Sequence, residues 1–200
     1  VFRQPQTSKH TMTKPLHTLL LATALSGSIL AAHAEPRALI DTNMGKITVA
    51  LNQQQAPQSV ANFIDYANKG FYNGTVFHRV INGFMIQGGG FNADMKQKET
   101  GKAITNEADN GLKNQKYTLA MARTAQPHSA TSQFFINVAD NAFLNHQNKT
   151  TQGWGYAVFG KVIDGTAVVD NIAKVPTSSR GYHENVPQKP VVINKITIVN

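Results

Sequence analysis

Phe77-His78-Arg79-Val80-Ile81-Asn82-Gly83-Phe84-Met85-Ile86-Gln87-Gly88-Gly89 is the most informative segment of the chain. It reads as a tight strand-turn-strand that brings a guanidinium, two apolar side chains and an amide together. Successive strand residues point to opposite faces. Phe84 and Met85 therefore cannot both enter one interior, and at least one must face outward or into a groove. Ser132-Gln133-Phe134-Phe135-Ile136-Asn137 repeats the pattern, with one aromatic expected in the core and its neighbour at the surface. Taken singly, each of these apolar residues reads as ordinary core. His78 and Arg79 are expected on opposite faces, with His78 as a buried, hydrogen-bonded structural histidine.

Outward from this stretch, apolar patterns of period two dominate. Residues 38–40 and 47–51 flank Asn43-Met44-Gly45 and read as an opening hairpin. Further strands are expected at 75–81, 84–87, 117–122, 133–138, 156–162 and 191–199. One helix starts near Pro57, with Val60, Phe63, Ile64 and Ala67 on one face and Gly70 as its stop. A second runs from about Thr166 to Lys174, burying Val168, Val169, Ile172 and Ala173. Eight short strands with two helices point to a closed antiparallel barrel or a sandwich. Residues 88–111 and 145–155 read as loops over one rim.

The first 34 residues do not read as part of this domain. Met12 opens a secretory signal with Lys14 and His17 as its basic region, an apolar run from Leu19 to Leu30, and the small-x-small site Ala32-His33-Ala34. The apolar run is shorter than the roughly 20 residues of a membrane-spanning helix. Two segments are therefore expected: 1–34, an upstream extension plus cleavable signal, and 35–200, the functional domain. The expected location is the periplasm, with no membrane association after cleavage. Removing 34 of 200 residues leaves 166, enough for one substantial core. It also removes three cations and no acid, lowering the net charge from +8 to +5. The remaining cations are dispersed singly, so no nucleic-acid partner is expected.

Several chemistries find no support. Without cysteine there is no disulfide, thiolate metal site or thiol nucleophile. His78, His128, His146 and His183 show neither a hydrolase setting nor a zinc spacing. Gly88-Gly89-Gly90 lacks the helix, lysine and hydroxyl of a phosphate loop.

The two opening segments, with Met121-Ala122-Arg123-Thr124 and Val158-Phe159-Gly160-Lys161-Val162, resemble the cyclophilins in order and spacing over residues 38–199. They are similar in particular to the bacterial periplasmic type. The resemblance implies a mainly β fold, a closed eight-stranded antiparallel β-barrel capped by two α-helices, with its substrate groove on the outside. It also implies a peptidyl-prolyl cis-trans isomerase, monomeric, acting on proline-containing unfolded or partly folded polypeptides, with no cofactor and no metal.

Carried over by motif, Arg79 is the catalytic arginine. Phe84, Met85, Phe135 and Leu144 form the proline pocket, and Ala122 lines it. Gln87 and Gln133 are implied to contact the substrate or hold the arginine. Arg123 occupies a position that holds the peptide through its backbone, so its side chain is expected to matter little. Phe143 stands where many eukaryotic relatives carry Trp, and Tyr156 where they carry His, which implies weak cyclosporin binding. Asn82 stands where proline is frequent and is expected to loosen its turn. A peptide-binding chaperone without turnover is the alternative. Retention of Arg79 argues against it, because a pocket for a proline ring needs no guanidinium.

Overall fold

The computed structural model describes residues 35–199. The expected signal and its cleavage site lie outside the described residues. Ten strands and two helices follow in chain order: β1 (Arg37–Thr42), β2 (Gly45–Leu51), α1 (Pro57–Asn68), β3 (Thr75–Ile81), β4 (Met85–Asn92), β5 (Thr118–Met121), β6 (Phe134–Asn137), β7 (Val158–Asp164), α2 (Thr166–Ala173), β8 (Thr177–Arg180), β9 (His183–Pro187) and β10 (Val192–Val199). Eight of the strands close an antiparallel barrel in the order β1-β10-β3-β4-β6-β5-β7-β2, and β8 and β9 pair as a separate hairpin. The expected fold is therefore present. Among the described residues no helix is long and apolar enough to cross a membrane.

Period two does most of the sorting. Along β6, Phe134 and Ile136 enter the lumen while Phe135 joins a second apolar cluster on the other face. Along β4, Ile86 points inward and Met85 outward. α1 begins on Pro57, whose missing N–H costs nothing in a first turn. Gly70 beyond its end takes the left-handed conformation, φ 68°. Val60 and Phe63 of α1, and Val169 and Ile172 of α2, complete the lumen core.

Three strand expectations need correction. β4 continues through Gly88-Gly89-Gly90 to Asn92, where a loop is expected. The reason is close approach: a Cβ on Gly90 would lie 2.5 Å from Gln133 Cγ. β7 begins at Val158 rather than Tyr156. The β8–β9 hairpin is absent from the sequence reading, because Thr177-Ser178-Ser179-Arg180 is polar and largely exposed and shows no alternation.

Candidate active site

Arg79 reaches the outer wall through an irregularity in β3. Phe77 pairs with Gly88 and Arg79 with Gln87, so His78 is one residue more than β4 can match. Such a bulge resets the alternation. Phe77 and Val80 both face the lumen, whereas Ile81 and Arg79 belong to the outer side. His78 is buried as expected, but among the described residues Nδ1 has no hydrogen-bond partner. Its ring instead packs on Phe91, with centroids 4.5 Å apart, and Phe91 meets His183 at 5.0 Å. Burial, with smaller contributions from His183 and Arg79, lowers the His78 pKa to about 4.

Four neighbouring strands of the barrel, β3, β4, β6 and β5, bring the remaining groups together. Gln87 pairs with Phe135, and Phe135 with Ala120. A pocket of about 120 Å³ lies over this patch, lined by Arg79, Phe84, Met85, Gln87, Ala122, Arg123, Phe135, Leu144 and Tyr156. Drug-sized ligands fill roughly 300–1,000 Å³, so this cavity suits a single small ring. Its floor is the outer cluster of Met85, Ala120, Phe135, Leu144 and Val158. Among the described residues no carboxylate is paired with Arg79, which leaves its guanidinium donors for a bound molecule.

The pocket rim is held from several directions. Phe84 N–H donates to Ile81 O at 3.1 Å, and Gly83 sits in the left-handed region at φ 74°. That turn is closed with Asn82 at its second position, where proline would only preset φ. Tyr156 is not in a strand; its N–H donates to Leu144 O at 2.9 Å, and its ring meets Phe135 edge-on at 5.7 Å. The Arg123 side chain is more engaged than the sequence implies. Its guanidinium lies 4.6 Å from the centre of the Tyr156 ring, and its Nε donates to Gly155 O at 2.9 Å.

Two of the expected residues sit beside the pocket rather than in it. Gln133 accepts from Gln87 Nε2 at 3.0 Å and lines an adjoining polar recess with Gln97, Thr124, Ser129 and Thr131. Neither glutamine hydrogen-bonds Arg79 among the described residues. Phe143 is 68% exposed and stacks on Phe84, centroids 5.6 Å apart at 29°. A larger concavity of about 640 Å³ beside α1 is lined by Lys69, Lys98 and Lys102 and shares no residue with this site. Size alone does not make it the centre of the chemistry. The sequence reading missed the buried amides that support the rim, Asn106 and Asn114 among them. The sequence carries no signal for them, because an amide type alone does not show that Asn106 and Asn114 are buried.

A closed barrel whose outer wall carries a small pocket with an apolar floor, and a guanidinium with no carboxylate partner among the described residues, has the layout of a prolyl isomerase. A family model for cyclophilin type peptidyl-prolyl cis-trans isomerases matches residues 37–198. The chain belongs to that family, and it is an enzyme of the peptidyl-prolyl cis-trans isomerase class. It is 56% identical over 182 residues to peptidyl-prolyl cis-trans isomerase A of Dickeya dadantii, covering 91% of this chain and 94% of the relative. It is 58% identical over 157 residues to peptidyl-prolyl cis-trans isomerase B of Escherichia coli, covering 78% and 96%. Among solved structures, a Cryptosporidium parvum cyclophilin type isomerase aligns with a TM-score of 0.69 at 29% identity, over 83% of this chain and 98% of that one. The same parasite protein, in the presence of the dipeptide Ala-Pro, aligns with a TM-score of 0.67 at 29% identity, over 82% and 99%.

Proposed function

We propose that this isomerase acts on X-Pro bonds of secreted polypeptides in the periplasm, and that Arg79 stabilises the twisted bond directly. The observation that carries the reading is the Arg79 guanidinium, without a carboxylate partner among the described residues, at the lip of a ring-sized pocket with an apolar floor. An X-Pro bond interconverts in tens to hundreds of seconds, and the barrier of about 18–20 kcal/mol reflects amide resonance. Twisting breaks that resonance and leaves a lone pair on the proline nitrogen. A guanidinium donating to this nitrogen stabilises the twisted state more than either planar one, as catalysis requires. Met85, Phe135 and Leu144 hold the ring, and the low polarity around them disfavours the more dipolar planar amide. Reducing ~100 s to ~1 ms is a factor of about 10⁵, roughly 7 kcal/mol.

Proline-containing unfolded or partly folded chains are the substrates of this reading. The dipeptide Ala-Pro, present with the parasite relative, carries one X-Pro bond. Cyclosporin binds weakly in this account, because Phe143 offers an exposed phenyl ring and no indole donor. The periplasmic assignment rests on the order of basic region, apolar run and Ala32-His33-Ala34.

The test is a proline-limited refolding assay with the 35–200 protein, as wild type and as Arg79→Ala. Acceleration by wild type that Arg79→Ala loses supports the mechanism. Equal acceleration by both removes Arg79 from the mechanism, and no acceleration by wild type returns the groove to a chaperone role. Intact mass of protein recovered from the periplasm tests the leader, and a chain still starting at Met12 overturns the assignment.

A further inference from the structure

Behind the pocket lies a chain of buried amides that no step of the reaction uses. Asn114, Asn137 and Asn141 are 2%, 0% and 3% exposed. Asn137 ends β6 two residues after Phe135, Asn141 precedes the short helical turn that carries Leu144, and Asn114 lies just before β5. Asn141 Nδ2 donates to Phe84 O at 2.9 Å and to Asn137 Oδ1 at 2.7 Å. Asn137 Nδ2 donates to Thr118 Oγ1 at 3.0 Å and to Asn114 Oδ1 at 3.2 Å. Asn114 Nδ2 donates at 3.2 Å toward both Leu144 O and Tyr156 O.

The main-chain carbonyls at the two ends only accept, and this fixes every amide in between. Asn141 must present nitrogen to Phe84, and Asn114 must present nitrogen to Leu144 and Tyr156. Asn114 Oδ1 is then free to accept from Asn137, whose own oxygen accepts from Asn141. One connected chain thus holds the main chain of Phe84 at one end and of Leu144 and Tyr156 at the other. All three line the pocket. Apolar side chains of similar volume would fill this space without the cost of burying three amides. What they would not supply is directional, mutually dependent bonds to the rim.

We propose that Asn114, Asn137 and Asn141 are positioning residues, coupling the Phe84 wall of the pocket to the Leu144–Tyr156 wall. The proposal rests on the reading of this pocket as the proline site. Asn141→Ala removes the amide but leaves the main-chain bonds Asn141 N–H to Asn114 O and Leu144 N–H to Asn141 O, so the fold should persist. Three measurements test it: kcat/KM well below the melting temperature, the NMR resonances of Tyr156, and kcat/KM of Asn114→Ala alone and combined with Asn141→Ala. The expected results are a loss of about ten-fold in kcat/KM, as for modest misplacement of a catalytic geometry, a shift of the Tyr156 signals in Asn141→Ala, and a double variant less impaired than the product of the single losses. Unchanged kcat/KM in folded Asn141→Ala, unmoved Tyr156 signals, or strictly multiplicative losses would each overturn the coupling. Arg79→Ala, assayed alongside, separates the two readings. Full activity there overturns the pocket assignment, whereas its loss beside an unimpaired Asn141→Ala overturns the positioning role alone.

Discussion

Arg79 on β3 lies directly across from Gln87 on β4, although Phe77, two residues before Arg79, lies across from Gly88, only one residue after Gln87. The residue left over is His78. In a regular strand without the bulge, Arg79 would share a face with Phe77, inside the barrel. The bulge therefore supplies the outer wall with its guanidinium, and it buries an imidazole whose Nδ1 has no partner among the described residues.

That imidazole makes stability depend on pH. Burial lowers the His78 pKa to about 4, against about 6.5 in the unfolded chain. Below pH 6.5 the unfolded state binds the proton and the folded state does not, so stability falls as pH drops from about 6.5 toward 4 and levels off below. At pH 5 the loss is about 2 kcal/mol, or roughly 4–8 °C for a domain of this size. His78→Phe keeps the stack on Phe91 and removes the titration. Melting curves at pH 7 and pH 5 should show a smaller drop for this variant than for wild type. Equal drops would place the acid sensitivity elsewhere.

α1 has no side-chain cap of its own, since Ala56 precedes it. The Glu107 carboxylate supplies one from a distant loop, accepting from Gln58 N–H at 3.0 Å, Ser59 N–H at 2.8 Å and the Ser59 hydroxyl at 2.7 Å. Glu107→Ala should cost about 1–3 kcal/mol, the range for leaving buried donors unsatisfied. Urea unfolding measures this, and kcat/KM of the folded variant should equal wild type because the residue lies outside the pocket. A stability within 0.5 kcal/mol (about the scatter of neutral surface changes) would show that solvent caps the helix equally well.

Phe143→Trp should strengthen cyclosporin binding while leaving peptide turnover nearly unchanged. The ring lies at the rim on Phe84, outside the pocket lining. An indole adds a donor worth about 0.5–1.5 kcal/mol and more apolar area, together about one order of magnitude in affinity. Titration calorimetry on both proteins checks it. Low-nanomolar affinity in wild type, or no gain in Phe143→Trp, would remove Phe143 from the drug's contact surface.

Much of this was legible because the pleat has period two. Phe134 against Phe135, and Ile86 against Met85, separate into lumen and outer wall as adjacency requires. The nine pocket-lining residues were all named from the motifs, but through resemblance, since no local pattern places Leu144 and Tyr156 beside Arg79. What stayed hidden depends on contacts across long stretches of chain. Gly88-Gly89-Gly90 reads as loop until Gln133 is known to lie over Gly90. The bulge at His78 leaves no trace in the periodicity of 75–81. The Arg123 side chain acquires its role only because Gly155 and Tyr156 arrive beside it.

In the proposed mechanism Arg79 acts on the twisted bond and contributes little to holding the planar one. Exchange NMR on a saturating proline peptide reports both quantities in one sample, the dissociation constant and the cis-trans rate on the enzyme. For Arg79→Ala the account expects affinity within about three-fold of wild type and an on-enzyme rate lower by at least about 100-fold, close to 3 kcal/mol of transition-state stabilisation. Arg79→Lys should recover little of it, since an ammonium lacks the planar fork that fixes donor geometry. An on-enzyme rate in Arg79→Ala close to wild type, or a rate loss matched by an equal loss of affinity, would contradict the account.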